Sequence, residues 1–208
     1  MITIIDYKMG NLGSIVNMLR RLGFEAAVGS ERKHIENATK LILPGVGSFD
    51  SGIRHLHELG LNDLLEQKVM SHRIPFLGIC LGMQLLCKGS EEGMKNGLGW
   101  IDAETVRFPN EVAGESLRIP HMGWNEISVK KQNPLFKDLD ANPRFYFVHG
   151  FHVQCADPEA VAATTTYGIE FHSSVRKGNI YGVQFHPEKS HKFGMQLLKN
   201  FAELNPHD

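Results

Sequence analysis

Cys80 stands in Gly78-Ile79-Cys80-Leu81-Gly82-Met83-Gln84, directly after the apolar run Ile74-Pro75-Phe76-Leu77. A nucleophile at a sharp strand-to-helix turn needs small neighbours, and Gly78 and Gly82 supply them. A thiol that opens a helix is biased toward thiolate by the positive end of the helix. The adjacent N–H, that of Leu81, would point at an oxyanion formed beside the sulfur. Taken alone, the pattern also fits a buried structural cysteine, the lesser of the two readings.

A thiol nucleophile needs a base. His186-Pro187-Glu188 ends the strand-like Tyr181-Gly182-Val183-Gln184-Phe185. Positions i and i+2 of an extended chain project to one side, which puts the imidazole beside the carboxylate, and Pro187 opposes helix there. A carboxylate so placed fixes the histidine tautomer and supports the imidazolium formed when the thiol proton is taken. By itself this tripeptide is an ordinary strand end; the cysteine elbow gives it meaning. With His186 as base, acidification through the histidine range is expected to slow the reaction. Pro44-Gly45-Val46-Gly47 is a third candidate. Its glycines let backbone N–H groups approach a ligand, although a plain turn reads the same way. It is no phosphate loop, because GxxxxGK[ST] is absent. The pairs His55/His57 and His149/His152 could come together, but neither has the HExxH arrangement, so no metal is expected. His34, His72, His191 and His207 read as surface positions.

To bring residues 45, 80 and 186 together the chain needs adjacent strand ends. The first half alternates strand and helix signals: a strand at Ile2-Thr3-Ile4-Ile5, a turn from Gly10 to Gly13, and a helix capped by Ser14 and stopped by Gly23. Strands at Phe24 to Val28 and Leu41 to Leu43 follow, then a helical stretch from about Asp50 to His72 broken near Gly60. The run through Ile79 is the next strand, with a helix from Leu81. Apolar strands spaced by helices predict an α/β fold whose parallel sheet is covered on both faces. From Ala103 to Val183 short segments (Trp124 to Val129, Phe145 to Val148, Val161 to Thr166, Phe171 to Val175, Ile180 to Phe185) read as antiparallel additions to that sheet. A helix over about His191 to Leu204 closes the chain. No linker or repeat interrupts it, so one domain over residues 1–208 is expected.

Composition excludes other classes. Twenty-two Lys and Arg against twenty-three Asp and Glu leave a formal charge of -1, without the basic excess of a nonspecific nucleic-acid binder. No apolar run approaches the ~20 residues of a membrane span. Cys80, Cys87 and Cys155 are too few and too irregular for a disulfide scaffold or a zinc knuckle. The N-terminus lacks a leader pattern, which points to a reducing cytoplasm.

The cysteine elbow, followed about a hundred residues later by Phe185-His186-Pro187-Glu188, resembles the class I, triad-type glutamine amidotransferases in motif, spacing and chain order. The resemblance implies a flavodoxin-like fold, no cofactor, and L-glutamine as substrate. Cys80 would attack the side-chain amide, His186 would serve as base and then acid, and Glu188 would orient it. Leu81 and the Gly45-Val46-Gly47 loop would form the oxyanion hole, with a peptide flip at Gly45-Val46 triggered by a partner. Gln84, Glu92, Gly150 and Phe151 would hold the amino-acid end of glutamine. Pro120-His121-Met122-Gly123-Trp124-Asn125 and Ile5-Asp6-Tyr7-x-x-Gly10-Asn11 narrow the likeness to members that pass ammonia to a (β/α)8-barrel cyclase subunit in histidine biosynthesis. There Met122, Trp124 and Asn125 would face the partner; a core tryptophan is the plain alternative. Gly150-Phe151 departs from the family's usual Ser-Tyr. That departure keeps open a paralogue feeding another synthase, for instance one amidinating a nucleotide sugar. A glutamine-sensing module without turnover and a hydrolase of γ-glutamyl peptides without a partner are the readings from other classes.

Overall fold

The apolar runs of the first half become strands buried on both faces, as a parallel sheet requires. The computed structural model describes residues 1–205, so the surface position expected for His207 lies outside the described residues. In chain order come β1 (Ile2–Ile5), α1 (Leu12–Arg21), β2 (Ala26–Gly29), α2 (Arg32–Glu36), β3 (Lys40–Gly45), α3 (Phe49–Glu58) and α4 (Asn62–Glu66) with a π turn over Gln67–Ser71. Next are β4 (Phe76–Cys80), α5 (Leu81–Gln84), β5 (Gly89–Ser90), β6 (Ala103–Arg107), β7 (Glu111–Val112), β8 (Glu115–Ser116), β9 (His121–Glu126) and β10 (Ser128–Val129). The chain continues through β11 (Arg144–His149), β12 (Phe151–Cys155), β13 (Val161–Tyr167), β14 (Ile169–Lys177), β15 (Ile180–Val183) and α6 (His191–Glu203).

The main sheet runs β2-β1-β3-β4-β15-β14-β12-β6-β5, with β13 beside β14 and β10 beside β13. Its first five strands are mutually parallel; β14 turns antiparallel to β15, and β12 to β14. Alternate side chains feed two cores. Ile4, Ile42, Leu77, Ile79 and Val183 join α1 and α6 on one face. Ile5, Leu41, Leu43, Phe76 and Ile180 join α3 and α4 on the other. This is the mixed, mostly parallel α/β sheet read from the sequence.

Three local expectations are corrected. The cap of α1 is Asn11, whose side chain accepts from the Ser14 N–H, so Ser14 lies inside the helix; Asn11 satisfies an end donor as well as serine would and sits one turn earlier. The second strand starts at Ala26, because Gly23 at φ +86° and the Phe24 N–H bonded to the Leu19 carbonyl still belong to the helix stop. Of the Trp124 to Val129 segment only Ser128–Val129 joins the main sheet, beside β13; the Trp124 to Glu126 part and the Phe145 segment do not. They form a separate antiparallel ribbon, β9–β11, paired from Arg144 with Glu126 to His149 with His121. In β11 every second residue (Phe145, Phe147, His149) is buried, so the ribbon lays one apolar face on the sheet instead of joining an edge.

Candidate active site

The sheet order β3-β4-β15 places the carboxyl ends of three consecutive strands side by side, where doubly wound folds collect ligands. Cys80 closes β4 and is paired with Gly45, the last residue of β3. Its backbone is forced to φ 53°, ψ -110°, a conformation a side-chain-bearing residue rarely adopts and one that costs about 1–3 kcal/mol. The neighbouring glycines explain how this is tolerated. A Cβ on Gly82 would run into the Leu43 carbonyl, and one on Gly78 into the Gly82 carbonyl. The helix after Cys80 is one turn, Leu81–Gln84, so the elbow and the Leu81 N–H, more than a long helix dipole, shape the field at the sulfur.

His186 reaches the sulfur from β15. Its approach differs from the extended i, i+2 geometry expected: β15 ends at Val183, and Pro187–Lys189 is a 3-10 turn with Pro187 in its first position. Proline lacks the N–H that a first-turn position leaves unpaired anyway, which is why it starts this turn instead of preventing it. The turn still sets the imidazole beside the carboxylate, His186 Nδ1 to Glu188 Oε1 at 2.7 Å, both side chains buried. Ser190 Oγ donates to the His186 carbonyl at 2.6 Å and accepts from the Tyr146 N–H, while the His186 N–H donates to the Tyr146 carbonyl. The base is thereby clamped to β11. Burial lowers the imidazole's proton affinity, but hydrogen bonding and charge from Cys80 and Glu188 outweigh it and raise the pKa to about 10. Nε2 has no well-formed hydrogen-bond partner, so the thiol contact it makes is a loose one, as is common for catalytic pairs away from their substrate.

Cys80 opens into a cavity of about 280 Å³, a size suited to a small polar molecule. Of the residues singled out, Val46, Gly47, Leu81, Gln84, Glu92, Gly150 and Phe151 all line it. Gly45 does not; it sits beneath, and a Cβ there would strike the Tyr7 hydroxyl. Gly47 has φ +109°, which only glycine adopts without strain. Glu92 accepts the Phe49 N–H at the start of α3 with Oε2 (2.8 Å), which pins the carboxylate at the rim. Gln84 spends its amide nitrogen on the Phe151 carbonyl and Gln184 Oε1, each at 3.2 Å. Met122 and Trp124 lie on the exposed face of β9, and the Trp124 ring stacks on His191 with centroids 5.4 Å apart, so it is no core tryptophan. Asn125 turns to the opposite face, bonded to His121 and the Thr166 carbonyl.

Two neighbours of the sulfur have no place at the site in the sequence reading, although Tyr7 stands in the Ile5-Asp6-Tyr7 motif. Gln184 is fully buried and donates from Nε2 to Cys80 Sγ at 3.6 Å; its one signal is a lone amide in an otherwise apolar strand. Tyr7 is buried with an unpartnered hydroxyl against Gly45, and burial followed by the Cys80 charge pushes its ionisation far up. Of the histidine pairs, His149 meets His121 and not a metal partner; among the described residues no three metal-ligating side chains converge.

Residues 3–204 match the family model described as glutamine amidotransferase class-I. The chain is 56% identical over 98% of its length to a Methanococcus maripaludis protein named imidazole glycerol phosphate synthase subunit HisH 2, of which it covers 99%. It is 48% identical to a Pseudomonas aeruginosa protein of the same name and 46% to the HisH subunit of Leptospira borgpetersenii, covering all of each. Its fold is shared with a glutamine amidotransferase from Thermotoga maritima (TM-score 0.64, 19% identity, 90% of this chain and 75% of that one). PurLQS from the same organism gives a TM-score of 0.72 at 16% identity, with 96% of both chains covered.

Proposed function

The chain belongs to the class I glutamine amidotransferases, and from that premise we propose that it is the glutaminase subunit of an imidazole glycerol phosphate synthase. As one domain it hydrolyses L-glutamine to glutamate and ammonia. The ammonia passes to a HisF-like (β/α)8-barrel cyclase subunit that forms imidazole glycerol phosphate and AICAR. The observation that carries the reading is the strained Cys80 elbow facing an imidazole that a buried carboxylate holds at 2.7 Å.

His186 takes the Cys80 thiol proton, Sγ attacks the side-chain amide carbon, and the carbonyl electrons move onto oxygen. The Leu81 N–H and an N–H of the Val46-Gly47 loop stabilise that oxyanion. The imidazolium, held by Glu188, delivers that proton to the leaving nitrogen, so the C–N bond breaks and ammonia departs from a γ-glutamyl thioester. His186 then takes a proton from water, which attacks the thioester and frees glutamate and the thiol. Glu92 at the rim suits the substrate's α-ammonium, and the backbone of Gly150 and Phe151 suits its carboxylate. Met122 and Trp124 offer the apolar face for the barrel subunit.

The test is ammonia release from glutamine by the chain with and without its barrel subunit. Cys80→Ala is expected to abolish release while still co-purifying with the partner; unchanged turnover in that variant sinks the mechanism. A second reading, delivery to a different synthase, is favoured by Gly150-Phe151 on the cavity wall in place of Ser-Tyr. It predicts no imidazole glycerol phosphate with the histidine-pathway barrel although glutamine is still hydrolysed.

A further inference from the structure

Between the inner face of β9 and the Cys80 sulfur runs a connected series of polar contacts, half-exposed at Asn125 and buried further in, that the mechanism above does not use. Asn125 Nδ2 lies 2.9 Å from the Thr166 carbonyl, which can only accept; this fixes the amide's orientation and makes its nitrogen the donor to His121 Nε2 at 3.3 Å. At the other end His149 Nδ1 is 2.7 Å from the Phe151 carbonyl and must carry the hydrogen. Burial holds both rings neutral, His121 down to about 4 and His149 to about 3. A neutral imidazole has one N–H, so His149 Nε2 is bare and accepts from His121 Nδ1 at 3.0 Å, and His121 Nε2 is bare as the Asn125 contact demands. The tautomers deduced from the two ends agree. Packing supports them: His121 stacks on Tyr167 (centroids 4.1 Å) and Phe147 (4.8 Å).

Beyond His149 the series continues. The Phe151 carbonyl also accepts from Gln84 Nε2, Gln84 donates its second N–H to Gln184 Oε1, and Gln184 Nε2 donates to Cys80 Sγ. From Asn125 to the Phe151 carbonyl each group donates toward the site; that carbonyl accepts from both His149 and Gln84, and from Gln84 onward the donation runs to the sulfur. A mere packing cluster has no reason to end on the nucleophile or to pass through the carbonyl of the cavity wall.

We propose that Asn125, His121 and His149 are positioning residues that form a hydrogen-bond relay meeting the Gln84–Gln184 pair at the Phe151 carbonyl, holding that wall and the pair against Cys80 and tying the nucleophile's setting to the strand that carries Trp124. This rests on Cys80 being the nucleophile. It gives β9 a second role: its outer face presents Met122 and Trp124, while its inner face reports their position to the site.

The experiment separates positioning from packing. His121→Phe and His149→Phe each leave a buried partner unsatisfied and lower the unfolding temperature, whereas His121→Phe/His149→Phe removes both polar rings and regains most of it. In that double variant, alkylation of Cys80 by iodoacetamide, followed by peptide mass mapping, is expected to slow about three- to ten-fold. The KM for glutamine in the complex with the barrel subunit rises by a similar factor, with a smaller change in kcat. A double variant as stable as the parent that alkylates and turns over like it overturns the relay. Should the double variant not fold, Asn125→Leu at the half-exposed outer end carries the test: alkylation slowed by two-fold or more supports the relay, and a parental rate overturns it. Alkylation needs no turnover. A parent chain that reacts at Cys80 yet releases no ammonia would therefore fail the glutaminase reading and leave this test standing.

Discussion

The parallel and antiparallel halves of the molecule hold reactive groups by different means. In the parallel half each group arrives at the end of a strand. Gly45, Cys80 and the His186 turn follow β3, β4 and β15, which are neighbours in the sheet, and the backbone itself sets the geometry. In the antiparallel half the polar groups lie within strands and meet across them. His121 opposes His149 in the β9–β11 ribbon, and Thr165 donates to Ser173 between β13 and β14. The first arrangement stores strain at one residue. The second satisfies buried polar atoms by register, so its failures cost stability as well as function.

The largest effect expected from breaking this contrast is at Glu188. Glu188→Gln removes the charge that fixes the imidazole, and kcat/KM should fall roughly 10³–10⁴-fold. The raised His186 pKa also gives a sign. The acidic limb expected in the ordinary histidine range is corrected, because the imidazole already holds its proton there; the limb that His186 sets is alkaline, lies well above that range in the parent and moves down in Glu188→Gln. A raised folded-state value stabilises the fold below the ordinary histidine pKa, and this is lost as pH climbs toward about 10. The stability gap between parent and variant, followed by urea unfolding, should therefore be widest near pH 6 and narrow with rising pH. A gap that widens instead would show that Glu188 does not hold the proton on His186.

Next in size is the elbow. Gly82→Ala drives a Cβ into the Leu43 carbonyl, a backbone atom of a central strand that cannot swing away. Expected are a loss of about 1–3 kcal/mol in unfolding free energy and at least a hundred-fold loss in turnover. A variant that keeps full turnover would mean that the turn is not held by this close approach. The smallest effect on the fold is at Trp124. The residue is 40% exposed, so Trp124→Ala should shift stability by less than about 0.5 kcal/mol. Docking to the barrel subunit, measured by calorimetry, should weaken by about 2 kcal/mol or more. A large stability loss with unchanged docking would return this residue to the core.

The cysteine elbow, the His-Pro-Glu tripeptide and the β3 loop are legible in sequence because each is a short run whose glycines, proline and apolar flank state their own conformation. The same locality misleads in detail. Ser14 is as good a cap as Asn11 on composition, and Pro187 starts a 3-10 turn that extended geometry does not suggest. Gly45 reads as loop and is the paired end of β3. The partners of Gln184, Tyr7 and the His121–His149 pair stay hidden because a buried polar residue looks the same in sequence whether it meets water, backbone or the Cys80 sulfur.

The amino-acid order alone determined the α/β alternation, the continuous apolar strands and the identity of the thiol, imidazole and carboxylate, since helix and strand periodicity and turn chemistry act over a few residues. Only the tertiary structure decided which strands are neighbours, that β9 and β11 leave the main sheet, which way Asn125 faces and where each buried N–H is spent. Those outcomes depend on register between segments as many as a hundred residues apart, and register is set by the packing of whole faces, which no single stretch of chain contains.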